Sequence, residues 1–301
     1  SPCTAHRLQA SSRVSTRVLG YLNYDTRWGS AASRRFLRAH GVDFAECLDD
    51  PRRFTTARQV FERRIRYWDC RAMPADPAIV VAPADARVLV GSFAEHGALH
   101  LKDKFFEYAE LIGDRALWAE TFRSGDYAIF RLTPEKYHYN HTPVAGRVLD
   151  LYELDGAYHS CNPGAAVILA TPYSKNRRVV TVIDTDVPGG TNVGKVAMIE
   201  IVALMIGDIA QCYSESRYDD PQPVAPGMTV ARGCPKSLFR PGSSTTVLVF
   251  EPGRTRFVPD LLANQHRSQA HSRYALGFGA PLVETDVRLR TAVARRAGID
   301  S

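Results

Sequence analysis

The sequence predicts an α+β fold, with a helical N-terminal region set on a predominantly antiparallel β core. Three observations carry that expectation. Apolar residues before about residue 75 recur at helical spacing, later ones fall in short β-branched runs, and Gly, Pro, Asn and Asp turns separate those runs. The implied division is a basic helical region over 1–77 and a β-rich core over 78–301.

In "TARQVFERRI", Ala57, Val60, Phe61 and Ile65 stand three and four residues apart with arginines on the other face, which predicts an amphipathic helix. "SRRFLRAH", upstream, reads the same way. From Ala78 the texture turns to β, through "AIVVAPADARVLVGSFA", "DYAIFRL", "GRVLDLYEL", "AAVILA", "RRVVTVIDT", "VAMIEIVALMIGDI" and "TTVLVF". One helix interrupts the series, around "KDKFFEYAELIG". The chain shows no internal repeat, low-complexity tract, phosphate-binding glycine loop or dinucleotide fingerprint.

Composition narrows the class. With 301 residues, 45% of them hydrophobic and 10% aromatic, the chain can bury a large core, which argues against disorder. The longest apolar stretch, Val196 to Ile206, contains Glu200 and falls short of the roughly 20 residues a membrane helix needs, so no transmembrane helix is expected. The net charge of +6 suits an anionic partner. Much of the excess lies in residues 1–40, where arginines from Arg7 to Arg38 face a single acid, Asp25. That Arg- and Ser-rich segment reads as a solvated basic face, a surface-binding arm or a removed, transit-like leader, and a cytoplasmic or peripheral-membrane location is expected. Charge alone, without a recognition motif, predicts no nucleic-acid partner. Six cysteines lie scattered without a C-x-x-C pair, which fits a reducing compartment. "HSC", His159 to Cys161, matches no ligand spacing, and no metal is expected.

Three stretches bear on chemistry. "RPGSSTTVLVFEPG" puts Gly242, Ser243 and Ser244 directly before an apolar run, either as a simple turn or as a nucleophile at the mouth of a strand. "TPEKYHYNHTPVAGRV" carries His138 and His141 in a loop near Pro143, and "VVAPADARVLV" places Asp85 in a turn between two strands. Each has an ordinary structural reading by itself. Together, Asp85, His141 and Ser243 supply the acid, base and nucleophile needed to activate a hydroxyl.

These stretches resemble the phosphatidylserine decarboxylase family. "PADARV" is similar to its PADG-x-V, and "LTPEKYHYNHTPVAGRV" to its L-x-P-x-x-YH-x-x-H-x-PV-x-G-x-V. "HSCNP" with "KNRRVVTVIDT", "IVALMIGDI" and "LFRPGSSTTVLVFEPG" resemble further family segments in the same order, and "FTTARQVFERRI" the one ahead of the core. The resemblance runs from about Phe54 to Gly253.

The resemblance implies a chain that makes its own cofactor. The serine of the Gly-Ser pair attacks the preceding carbonyl, and the ester then breaks by β-elimination to leave a pyruvoyl group at the new N-terminus. Here Ser243 would attack Gly242, giving a β chain of 1–242 and an α chain of 243–301. A pyruvoyl carbonyl condenses with a substrate amine and accepts the electron pair left by departing carbon dioxide, so neither pyridoxal phosphate nor a metal is implied. His141 with Asp85 would activate the serine, and His138 would position the substrate carboxylate. Counting back from "VLVFEPG" selects Ser244 instead, because this chain has one residue more than the usual spacing. Ala86 and Pro241 also depart from the family pattern. The implied substrate is phosphatidylserine, with peripheral contact at an anionic membrane and a homodimeric assembly. Two alternatives stay open: decarboxylation of a soluble, possibly aromatic, amino acid, or an unprocessed lipid- or partner-binding module.

Overall fold

A computed structural model describes residues 25, 35, 38–39, 41–94, 108–157, 172–203, 208–241, 244–270, 272, 274 and 281–298. The N-terminal part opens with short 3-10 turns at Phe44–Glu46 and Pro51–Arg53, capped by the side chains of Asp43 and Asp50. Helix α1, Ala57–Phe61, starts on a reciprocal cap: the Gln59 amide donates to Thr56 Oγ1, and the Thr56 amide donates back to Gln59 Oε1. It is shorter than its periodicity predicts. Beyond Glu62 the backbone pairs across to the preceding segment: Ile65 bridges Cys47, the Leu48 amide donates to the Arg64 carbonyl, and the Arg66 amide donates to the Glu46 carbonyl. Groups that would extend the helix are thereby used elsewhere. A single turn, α2, follows at Tyr67–Cys70.

The β core then runs through β1 Ile79–Val81, β2 Ala86–Ser92, β3 Asp126–Leu132, β4 Tyr139–His141, β5 Gly146–Leu154, β6 Arg178–Asp184 and β7 Lys195–Ile201. It continues with β8 Ile209–Gln211, β9 Thr229–Val230, β10 Pro235–Phe239, β11 Ser244–Phe250, β12 Thr255–Phe257, β13 Thr285–Val287 and β14 Ala292–Arg296. Short helices interleave, α3 at Tyr108–Ile112, α4 at Ala116–Thr121, α5 at Pro172–Lys175 and α6 at Pro259–Gln265. The expected helix around residues 102–113 is described only from Tyr108, while "AAVILA" and most of the basic N-terminal segment lie outside the described residues.

Eight strands form the main sheet in the order β13-β2-β3-β11-β7-β6-β5-β9, and its ladders are antiparallel. Two three-stranded sheets accompany it, β1-β14-β12 and β4-β10-β8. The main sheet has an apolar cluster on each face. Leu248 and Phe250 of β11 join Val196 and Met198 of β7 on one face, and Val247 and Val249 join Ala197, Ile199 and Ile201 on the other. A strand covered on both faces has no polar side to show, which is why "TTVLVF" is a continuous run rather than an alternation. Every residue of β11 is buried. The mixed α+β architecture with an antiparallel β core agrees with the sequence-based expectation.

Ala86, which stands where a family-like turn would have glycine, opens β2 and is absent from the residues with positive φ, so its Cβ meets no backbone conflict.

Leu248→Ala should cost about 3 kcal/mol, because the site is closed on all sides and leaves a cavity. Urea unfolding checks this beside Leu262→Ala, whose leucine is 44% exposed and whose loss should shift stability by less than about 0.5 kcal/mol.

Candidate active site

The histidine and aspartate motifs of the sequence meet at one backbone bond. The His141 amide donates to the Pro83 carbonyl at 2.7 Å, which draws β4 against the Pro83–Asp85 turn. The His141 ring is fully buried and both its nitrogens are engaged: Nδ1 lies 2.9 Å from the Gly233 carbonyl and Nε2 lies 3.0 Å from the Tyr137 hydroxyl. A carbonyl only accepts, so the network assigns the proton to Nδ1 and makes Nε2 the acceptor from Tyr137. The Tyr137 oxygen is also 2.7 Å from that of Tyr218, which donates to the Ile65 carbonyl at 2.9 Å. Gly233 presents this carbonyl with a φ of +75°, a backbone conformation that favours glycine. A Cβ there would also stand 2.6 Å from the Met73 sulfur. The same carbonyl accepts from Arg290 Nε and Nη2 at 3.0 and 2.8 Å.

Burial pushes the His141 ring down to about 3, against the Gly233 hydrogen bond, which favours the charged form. Arg290 lowers it further, and the charge of Asp85 opposes that. At neutral pH His141 is therefore an uncharged base with a fixed tautomer.

Asp85 does not touch His141, so the direct bond expected between acid and imidazole is not made. Its oxygens are taken by Arg71, with Nε and Nη2 at 2.9 and 2.7 Å, and by the Leu289 amide at 2.8 Å. Arg71 extends the chain to Glu46, donating from Nη1 and Nη2 at 2.9 and 2.8 Å. Burial works to raise the Asp85 pKa, but the hydrogen bonds and charge of Arg71 prevail and hold it below the usual carboxylate range. The imidazole is oriented by Gly233 and Tyr137 instead, and Asp85 acts on it through space.

His138 is buried with neither ring nitrogen in a hydrogen bond of good geometry, although the Lys136 backbone lies near enough to favour the charged form slightly. It stacks on Phe61 of α1, with centroids 3.5 Å apart and planes at 28°. Burial, then the charge of Arg63, push its pKa well below 6.5.

Gly242 and Ser243 lie outside the described residues. Ser244 is described: it opens β11 opposite Leu132, is fully buried, and its hydroxyl has no hydrogen-bond partner. Alternation puts Ser244 on the same face of β11 as Thr246, Leu248 and Phe250. That face meets β4, since Thr246 Oγ1 donates to Asn140 Oδ1 at 2.9 Å. The structure thus ties the Asp85 turn to β4 through the Pro83–His141 backbone bond and turns the face of β11 that bears Ser244 toward Asn140 of that strand, while the His141 ring, next along β4, lies against Tyr137 and Tyr67. Sequence reading missed Arg71, Tyr218, Gly233 and Arg290. Tyr137 was visible in "YHYNH" but carried no separate signal.

Cys47, Cys70, Cys212 and Cys234 are free thiols, and among the described residues no group of three or more His, Cys, Asp or Glu is set to hold a metal ion. Also among them, no helix is long and apolar enough to cross a membrane.

The buried histidines make stability depend on pH. Unfolded, each titrates near 6.5; folded, each stays neutral to lower pH, so acidification favours the unfolded chain. This stability is complete above pH 6.5 and is lost below it at about 1.4 kcal/mol per pH unit per histidine. His138→Leu removes one of the two, so urea unfolding between pH 6.5 and 5 should show a shallower decline than in the wild type. Parallel declines would contradict the assignment.

The family model for phosphatidylserine decarboxylase matches residues 57–275, a span that contains every described residue of this site except Glu46, Leu289 and Arg290. A phosphatidylserine decarboxylase proenzyme of Bordetella petrii is 31% identical over 74% of this chain and 78% of its own length. One from an Anaeromyxobacter species is 31% identical over 86% of this chain and 92% of its own. Proenzyme 3 of Schizosaccharomyces pombe is 28% identical over 81% of this chain, which corresponds to 24% of that longer protein. The extent of the family match and the ordered Asp, His-x-x-His and Gly-Ser motifs agree: the chain belongs to the phosphatidylserine decarboxylase family, whose members are carboxy-lyases.

Proposed function

We propose that this chain cuts itself at the mouth of β11 and, once cut, decarboxylates phosphatidylserine with a pyruvoyl group derived from its own serine. The observation that carries the reading is the Ser244 hydroxyl, fully buried and without a partner. Leaving a hydroxyl unsatisfied in a core costs about 1–3 kcal/mol, an arrangement that makes sense for a group that is consumed. Ser244 is favoured as the nucleophile because it opens β11 on the face that meets β4. The chain would then separate into 1–243 and 244–301.

In the self-cleavage step His141 accepts the serine proton. Its neutral ring and fixed Nδ1 proton leave the Nε2 lone pair available, now held by the Tyr137 hydroxyl that the serine would replace. The serine oxygen bonds to the carbonyl carbon before it, the peptide C–N bond breaks as the nitrogen takes the proton from His141, and elimination from the resulting ester frees the new carboxylate end and leaves dehydroalanine, whose imine tautomer adds water and loses ammonia to give the pyruvoyl end. Asp85, fixed by Arg71 and Leu289, stabilises the imidazolium formed in between. A pyruvoyl group at this end would supply a carbonyl for the substrate amine and a sink for the electron pair released with carbon dioxide. His138, buried against Phe61 with its nitrogens unused, would receive the substrate carboxylate. Contact with an anionic bilayer follows from a lipid substrate and a net charge of +6.

Intact mass measurement of the purified protein should show two chains, the smaller blocked by a pyruvoyl end, with carbon dioxide released from phosphatidylserine vesicles. Ser244→Ala should leave one uncut, inactive chain, whereas Ser243→Ala should still be cut. Cleavage lost only in Ser243→Ala would move the site by one residue. A processed protein that ignores vesicles but decarboxylates a free amino acid would overturn the lipid assignment.

A further inference from the structure

Beside the histidines lies a second buried polar cluster, to which the proposed chemistry assigns no role. Its centre is Glu200 of β7, which is fully buried. Lys236 Nζ donates to Glu200 Oε2 at 2.6 Å and to Gln211 Oε1 at 2.9 Å, and Gln211 Nε2 returns to Glu200 Oε2 at 3.1 Å. The other carboxylate oxygen accepts from Ser237 Oγ and from Asn140 Nδ2, the latter at 3.3 Å. Asn140 Oδ1 then accepts from Thr246 Oγ1 at 2.9 Å. Thr246 stands directly opposite Glu200 in the main sheet, and Ser237 directly opposite Asn140 in the small one.

The placement of these groups along the chain gives the cluster its meaning. Lys236 and Ser237 belong to β10, Thr246 belongs to β11, and the only residues between these strands are 240–243, the loop that carries the scissile bond. Backbone pairing does not join the two strands. β10 pairs with β4 and β8, whereas β11 pairs with β3 and β7 in the other sheet. The two ends of the loop therefore sit in separate sheets, and this side-chain cluster links them across the gap. Asn140 adds the strand that bears His141. A buried ion pair is weak evidence for stability, since apolar replacements often do as well, so its position calls for another account.

We propose that Glu200 is the hub of a clamp that positions the scissile loop for self-cleavage, holding β10 through Lys236 and Ser237 and β11 through Asn140 and Thr246. The inference rests on the self-cleavage reading above. Its members are positioning residues: they act on the geometry of the attacking serine and its carbonyl, where a misplacement of about 1 Å can cost a hundredfold in rate.

The test follows cleavage of newly made chains after a pulse of cell-free synthesis. Thr246→Val removes the tie to β11 at nearly constant volume, and Thr246→Ser retains it. The double variant Glu200→Gln with Lys236→Met removes both buried charges yet keeps an amide for the hub. Each is also made in the Ser244→Ala background, so that melting is compared between uncut chains. Thr246→Val and the double variant should slow cleavage by about tenfold to a hundredfold, beyond any trend with melting temperature, with near wild-type cleavage in Thr246→Ser. Wild-type cleavage rates in Thr246→Val and the double variant, or slowing that tracks melting across the series, would overturn the clamp while leaving self-cleavage intact. A wild-type chain that never cuts would instead overturn the underlying reading, and the clamp with it.

Discussion

The two-sided pairing of β11 is the constraint on which the rest of the structure depends. Its ladder to β3 and its ladder to β7 fix one register, and that register decides which residues face β4. A shift by one residue would turn Ser244 and Thr246 to the other cluster and send Val247 and Val249 toward Asn140 of β4. Burial on both faces makes such a slip costly, since each apolar residue would have to find a new cavity of the right shape. The core therefore does more than stabilise the fold: it aims the start of the strand. It also gives a physical reason for the two chains to stay together after a cut, because β11 would remain bound by strands of the larger piece.

Burial sets the electrostatics of the site as well. The His141 ring is kept neutral by its surroundings, and its tautomer is fixed by a glycine carbonyl rather than by a carboxylate. Asp85 remains ionised because Arg71 meets both its oxygens, and Arg71 in turn is held by Glu46 from the N-terminal part. The segment before the β core thus reaches the acid of the site through one guanidinium. A buried, bidentate partner of this kind keeps the carboxylate charged where burial alone would protonate it.

Much of this was legible in the sequence, for identifiable reasons. Runs such as "DYAIFRL" and "TTVLVF" carry enough β-branched and apolar residues to mark strands, and "YHYNH" and "PADARV" announced His138, His141 and Asp85. The length of α1 was not legible, because its end is set by Ile65 pairing back to Cys47, a tertiary event that periodicity does not encode. Nor was the partner of Asp85. Arg71 stands 14 residues away in a turn with no pattern of its own. Spacing arguments left both serines open, and the face of β11 on which Ser244 stands is read only from the bond between Thr246 and Asn140, a tertiary contact that the sequence does not announce.

The measurement that tests the central claim most directly is the location of the carbonyl. Purified protein would be labelled with phenylhydrazine, its chains separated under denaturing conditions, and the labelled residue found by tandem mass spectrometry. The account predicts a single adduct, on the first residue of the smaller chain, at position 244. A label at position 243 or elsewhere, or no reactive carbonyl at all, would contradict the claim that the mouth of β11 aims Ser244 into the site.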